Sequence, residues 1–355
     1  MGGQQLEQTA RALVAAGKGI LAADETVPTL TRRFDAVKIV STEDSRRTYR
    51  EMFFTTPGAA DFISGVILQD ETIRQKNAAG IPLTEVLSKQ GIIPGIKVDT
   101  GAKVLSGSPE ERITEGLDGL GDRLKEYAAM GARFAKWRAV IRITDMLPSS
   151  MCIDVNTHAL ARYAALCQEQ GIVPIVEPEI LMDGSHTIER CEDVTGSVLH
   201  RVFHTFFKHC ILLEGLLLKT SMVIAGKDCP KQVSVQEVAM ATWRCLRRHV
   251  PAAVPGIVFL SGGQPSTMAT AHLDAINRLS GPKPWPISFS YGRALQDVAL
   301  EAWHGQRENL KAGQQAFSHR AKCNSAAAMG CYTDELEREP VSVSEPAHRS
   351  DWHDD

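Results

Sequence analysis

No stretch of this sequence supplies the roughly 18 consecutive apolar residues that a membrane-spanning helix needs, so no membrane partner is expected. The opening residues Met1–Leu6 hold no signal-peptide core, and Leu6 stands where a myristoylation signal would place Ser or Thr. The expected location is therefore the cytoplasm. Charge of one sign is not in excess: 39 Lys and Arg face 42 Asp and Glu. The stretch Thr333–Asp355 holds eight of those acids and two arginines, which leaves the rest of the chain mildly positive. Such a balance excludes a nucleic-acid binder that works through phosphate contacts. The eight cysteines form no Cys-x-x-Cys and follow no regular spacing. They read as buried, reduced thiols. Gly-x-Gly-x-x-Gly, the Gly-x-x-x-x-Gly-Lys-Ser/Thr loop and the Gly-x-Ser-x-Gly elbow are all missing.

What is present is ordinary for a folded chain: 355 residues, 43% hydrophobic and 23% charged. That length fits two or three domains, or one α/β barrel. Short apolar runs bounded by Gly, Pro or polar residues lie at 19–23, 63–68, 93–98, 133–141, 172–176, 212–218, 256–260 and 285–289. They read as buried parallel strands. Helical spacing follows at 110–130, 157–170 (ending at Gly171), 233–249 and 296–305. The expectation is an α/β fold, a single (β/α)8 TIM barrel over residues 1–332, with a polar, mobile C-terminal tail at 333–355. An open doubly wound sheet is the rival, and its Gly-rich first turn is absent.

Charged and polar residues gather at the ends of these apolar runs. They are Asp24 and Glu25, Lys97 and Asp99, Lys136 and Arg138, Glu177 and Glu179, Lys219, then Ser261-Gly262-Gly263 and Ser290, Gly292 and Arg293. In a barrel all these ends meet at one mouth, where the chemistry of the fold sits. Lys, Asp and Glu are rarely buried without a partner, so packing alone does not account for the set.

Lys136 and Lys219, both inside apolar strands, suggest amine chemistry. At an ordinary lysine pKa only about one amine in 2,500 is neutral at pH 7. Desolvation and a neighbouring cation both raise that fraction, and the two lysines are expected to supply both. The reaction class is Schiff-base formation with a ketone or aldehyde, followed by C–C cleavage. Glu177 and Glu179, two apart on a strand, and Asp24 are candidate proton-transfer groups. The glycines after the seventh and eighth strands, with Arg293 at a helix start, read as a phosphate site. His200 and His204 share a helix face, which an amphipathic surface helix explains better than zinc. No metal and no cofactor is expected.

Six strings then identify a family: Gly17-Lys18-Gly19-Ile20-Leu21-Ala22-Ala23-Asp24-Glu25, Gly95-Ile96-Lys97-Val98-Asp99, Phe134-Ala135-Lys136-Trp137-Arg138, the run Ile172–Ile180 with Glu177-Pro178-Glu179, Phe259-Leu260-Ser261-Gly262-Gly263-Gln264, and the run Phe289–Gln296. In this order, from about residue 6 to 332, the sequence resembles class I fructose-bisphosphate aldolase. The resemblance implies metal-free, reversible cleavage of fructose 1,6-bisphosphate to dihydroxyacetone phosphate and glyceraldehyde 3-phosphate, in glycolysis or gluconeogenesis. It implies that Lys219 forms the Schiff base, with Glu177 as general acid/base. Lys136 would hold charge, Glu179 would support Lys219, and Asp24 would act on the C4 hydroxyl. Thr29, Arg33, Lys97 and Arg138 match substrate positions. Ser261, Gly262, Ser290, Gly292 and Arg293 match the proximal phosphate site. A homotetramer acting on small sugar phosphates is implied.

Three places depart from the family pattern. Thr26-Val27-Pro28-Thr29 replaces Ser-Thr-Gly-Ser, which is expected to stiffen a loop. Thr220-Ser221 replaces Pro-Asn after Lys219. The chain ends on Asp355 rather than Tyr. The Thr26–Thr29 loop and the tail motivate one alternative, the same chemistry on sedoheptulose 1,7-bisphosphate or fructose 1-phosphate. A barrel kept as a protein-binding scaffold is a second, and a zinc-dependent aldolase a third. The intact lysine and carboxylate set opposes the scaffold reading, and the lack of strand-end histidines opposes zinc.

Overall fold

The computed structural model describes residues 2–339. Eight strands, β1 (Gly19–Ala22), β2 (Ile63–Leu68), β3 (Ile93–Lys97), β4 (Phe134–Ile141), β5 (Val173–Ile180), β6 (Leu217–Thr220), β7 (Ile257–Phe259) and β8 (Ile287–Tyr291), form one parallel sheet. Each pairs with its chain neighbours, and β8 returns to β1 to close the barrel. Each of the eight apolar runs thus supplies one strand of the (β/α)8 TIM barrel that their order predicts. Helices cover the outside, so β2 and β5 are buried along their whole length.

The barrel interior is filled from below. Leu6, Ala10 and Leu13 of the N-terminal helix Gly2–Leu13 pack with Ile20, Ile67, Phe134, Val173, Ile175, Leu217 and Val258. Phe134 needs a bare neighbour, because a Cβ on Gly95 would stand 2.3 Å from its ring. This apolar plug leaves only the opposite end of the barrel open to polar groups.

Several boundaries differ from the sequence reading. Residues 110–130 are not one helix. Gly101–Leu105 and Ser108–Glu115 form an antiparallel hairpin, and the helix is only Leu120–Ala129. Gly116 at φ +124° and Gly119 at φ +64° separate the two, conformations that suit glycine. The strand expected at 212–218 begins with a 3-10 turn, Leu213–Gly215, and runs on through Lys219. Strand β5 passes through Pro178 to Ile180. The N–H groups of Val173 and Leu181 go to Arg133 and Ile141 on the β4 side. Pro178, on the alternate phase, faces β6, where pairing stops after Val176.

Val27-Pro28 is not a stiffened loop but the first turn of helix Val27–Ala36, where Pro fits. In the polar stretch from 333, Asp334–Arg338 form a helix capped by Thr333, and Glu337 meets the buried Arg320 at 2.5 Å. The remainder of the expected tail, 340–355, lies outside the described residues.

Gly95→Ala is expected to destabilise the barrel by about 1–3 kcal/mol through overpacking against Phe134. Urea unfolding measures this. A stability equal to the parent's would mean that Phe134 can move aside freely.

Candidate active site

Register explains the central cluster. Ile175 lies opposite Leu217 and Val176 opposite Leu218, so Glu177 and Lys219 reach the same level on adjacent strands. On the other side, Arg138 is level with Glu177, and Lys136 lies one inward-facing position below it. Glu177 therefore meets both lysines: Oε1 is 3.3 Å from Lys219 Nζ, and Oε2 is 3.4 Å from Lys136 Nζ. Lys136 also pairs with Asp24 Oδ2 at 2.6 Å. Lys136, Glu177 and Lys219 are all buried.

Burial pushes the carboxyl pKa of Asp24 up, but Lys136 and Lys219 outweigh it, and the result lies below the ordinary value. The same contest between burial and the two lysines leaves Glu177 lowered. Lys136 does not show the lowered pKa expected from its apolar strand. Burial acts to lower it, but Asp24 and Glu177 raise it well above the ordinary lysine value. Lys136 is thus a fixed cation.

Lys97 Nζ lies 2.5 Å from Asp99 Oδ1. Glu179 is held by Arg138 Nε, while the carboxylate beside Lys219 is that of Glu177. Ser221 Oγ donates to Ile180 O at 2.8 Å and accepts from Ile180 N at 3.0 Å, tying the end of β6 to β5. The hydroxyls of Thr26 and Thr29 lie 3.0 Å apart. Arg33 is engaged by four protein groups: Glu25 at 2.6 Å, Asp297 at 2.8 Å, Gln296 at 2.9 Å and Tyr49 at 3.2 Å.

Across the mouth, Gly262 and Gly263 take φ of +61° and +89°. The Arg293 guanidinium crosses Gly263 so closely that a Cβ there would meet Nη2 at 3.0 Å. Gly292 caps helix Arg293–Trp303. Ser290 is buried, and its Oγ has no hydrogen-bond partner among the described residues. Amides without a partner among the described residues, a helix start, an unpartnered hydroxyl and a guanidinium thus lie at the ends of the adjacent strands β7 and β8, a set suited to an oxyanion.

The pattern of fructose-bisphosphate aldolase class-I matches residues 5–350. The chain belongs to the class I fructose-bisphosphate aldolase family. A Xylella fastidiosa protein named "Probable fructose-bisphosphate aldolase class 1" is 56% identical over 92% of this chain and 98% of its own length. The cytosolic fructose-bisphosphate aldolase 4 of Arabidopsis thaliana is 51% identical over 95% of this chain and 85% of that one. The Plasmodium falciparum aldolase, solved with TRAP and a small-molecule inhibitor, superposes with a TM-score of 0.92 at 49% identity, covering 94% and 96% of the two chains. The activity of the chain is the reversible cleavage of fructose 1,6-bisphosphate, a step of glycolysis and gluconeogenesis.

Sequence reasoning missed the aldolase's supporting residues. Arg50, fully buried, donates to Glu25 O at 2.6 Å and lies 3.5 Å from Glu71. Gln296 donates to Ala22 O at 2.5 Å and accepts from Arg33 and Tyr49. Together they brace the residues on either side of Asp24. Gln296 closes the family-like run Phe289–Gln296, whereas Arg50 falls in the helix Glu43–Phe54, away from any strand end.

Lys136→Met removes the cation that Asp24 and Glu177 share. Both carboxyls sit below their ordinary values of 3.8 and 4.5. Each therefore adds stability above its unfolded-state pKa and loses it as pH falls through the lower, folded value. The variant is expected to lose about 3–5 kcal/mol at neutral pH and to unfold in acid at a higher pH than the parent. Denaturant melts between pH 7 and 3 check this, and superimposable acid limbs would refute it.

Proposed function

We propose that Lys219 is the nucleophile and that Glu177 moves the protons. The observation that carries this is one carboxylate shared between Lys219 and a fixed cation, Lys136. Lys219 Nζ passes a proton to Glu177 and attacks the C2 ketone, and Glu177 returns that proton to the carbinolamine hydroxyl so that water leaves and an iminium forms. Asp24, kept anionic by Lys136, takes the C4 hydroxyl proton. The C3–C4 bond breaks, its electrons enter the iminium, and glyceraldehyde 3-phosphate departs. The enamine gains at C3 a proton that balances the one Asp24 removed, and water added to the resulting iminium frees dihydroxyacetone phosphate and Lys219. Lys136 offsets the negative charge on Asp24 and Glu177 through these steps.

Ser261, Gly262, Ser290, Gly292 and Arg293 hold the phosphate nearer Lys219. Thr29, Lys97, Arg138 and Arg33 serve the far end of the sugar. Arg33 reaches a phosphate by exchanging Asp297, whose side chain is half exposed. Glu179 positions Arg138 and the end of β5. The cytosolic name of the Arabidopsis relative supports a cytoplasmic enzyme. Family resemblance supports a homotetramer.

Incubation with fructose 1,6-bisphosphate, borohydride reduction and peptide mapping test the nucleophile. A substrate-dependent adduct on Lys219 is expected. Lys219→Arg keeps the charge but stays protonated, so it is expected to fold, form no adduct and lose activity. An adduct on another lysine would overturn the assignment. Glu177→Gln is expected to lower kcat by about 100- to 10,000-fold in steady-state assays. A kcat close to the parent's would remove Glu177 from the chemistry.

A further inference from the structure

The Ser261–Gly263 loop carries no bulky side chain of its own to fix its shape. Two successive residues have positive φ, and the N–H groups of Ser261, Gly262 and Gly263 donate to no protein acceptor among the described residues. The loop is held at its ends. Leu260 N–H reaches Thr220 O at 3.1 Å on one side, and Gln264 N–H closes a turn onto Ser261 O at 3.0 Å on the other. The Gln264 side chain is buried. Its Oε1 lies 2.7 Å from Nδ1 of His272, in the following helix Ser266–Arg278, and its Nε2 lies 3.8 Å from the sulfur of Met222.

His272 is itself buried. Burial lowers its pKa to about 4, so the ring is neutral at pH 7. A carbonyl oxygen only accepts, so Nδ1 carries the proton in this pair. We infer that His272 is a positioning residue for the anion-binding loop: by holding the Gln264 carbonyl it keeps the Ser261–Gly263 amides open toward a substrate phosphate. This rests on the phosphate site proposed above. The physical need is specific. A released Gln264 carbonyl is an acceptor next to three free donors, and it can fold back onto them in place of phosphate. His272 engages that acceptor without touching substrate. Its loss therefore weakens phosphate binding and leaves the Lys219 chemistry intact.

The test uses the full-length enzyme, initial rates with fructose 1,6-bisphosphate, inhibition by inorganic phosphate, and thermal midpoints. His272→Ala is expected to raise KM and the phosphate inhibition constant about tenfold, the scale of one hydrogen bond, with kcat within about twofold. His272→Asn keeps an N–H donor and is expected to recover most of the loss. Arg293→Ala is expected to weaken phosphate as well. If Arg293→Ala weakens phosphate and His272→Ala does not, the positioning role fails while the phosphate site stands. If neither weakens it, both readings fail. A parallel fall of kcat, phosphate affinity and thermal midpoint that Asn does not recover would make His272 merely structural. Should His272→Ala not fold, Gln264→Met removes the same bond from the other side. It is then expected to raise the phosphate constant similarly, and an unchanged constant overturns the inference.

Discussion

Everything at the mouth of this barrel depends on burying the Glu177 carboxylate between two lysines. An ionised carboxylate out of water is costly unless it is paired. Glu177 meets that cost with Lys136 on one oxygen and Lys219 on the other, and Asp24 gives Lys136 its second counter-charge. None of the four groups can be removed without leaving a buried charge exposed to an imbalance. The apolar plug below them supplies the low dielectric that makes these pairings strong. The same arrangement sets Lys136 and Lys219 apart in their pairing. Lys136 has two carboxylates and is locked as a cation, whereas Lys219 pairs, among the described residues, with Glu177 alone.

Most of this could be read along the chain, because barrel topology turns local patterns into a shared site. Asp24, Lys97, Lys136, Glu177 and Lys219 are far apart in sequence, yet each ends or interrupts an apolar run. Once eight parallel strands are assumed, their convergence follows without knowing a single distance. The period-two logic also holds for Glu177 and Glu179. Both are buried and inward-facing, though they part company at their partners, one meeting the lysines and the other Arg138.

What escaped the sequence reading has two physical origins. At residues 110–130, Ile113, Leu117, Leu120 and Leu124 imitate a helical stripe. Ile113 belongs to the hairpin strand 108–115, Leu120 and Leu124 to the helix 120–129, and Leu117 to the turn between them. Gly116 and Gly119 were the signals that the stripe is broken. The second origin is long-range pairing. Arg50 and Gln296 act on the backbone carbonyls of Glu25 and Ala22, and no local pattern marks a side chain whose task is to hold another segment's carbonyl. The lowered pKa expected for Lys136 fails for a related reason. A strand environment predicts desolvation, but the counter-charges come from Asp24, just past β1, and Glu177 of β5.

These supports suggest where substrate choice is made. In the proposed mechanism the floor of the site, Asp24, Lys136, Glu177 and Lys219, addresses only C2 through C4, which every ketose phosphate shares. It is braced on all sides by strands and by Arg50 and Gln296, so it has little freedom to discriminate. The rim is built differently. Thr26 and Thr29 bond to each other, Arg33 is divided among four partners, and the Ser261–Gly263 amides have none among the described residues. Groups whose present bonds can be exchanged are the ones able to weigh one phosphate placement against another. The departure at Val27-Pro28 falls on this rim, in the first turn of the helix that carries Thr29 and Arg33. In the proposed mechanism this helix sets where those two side chains meet the sugar, apart from the imine chemistry of the floor.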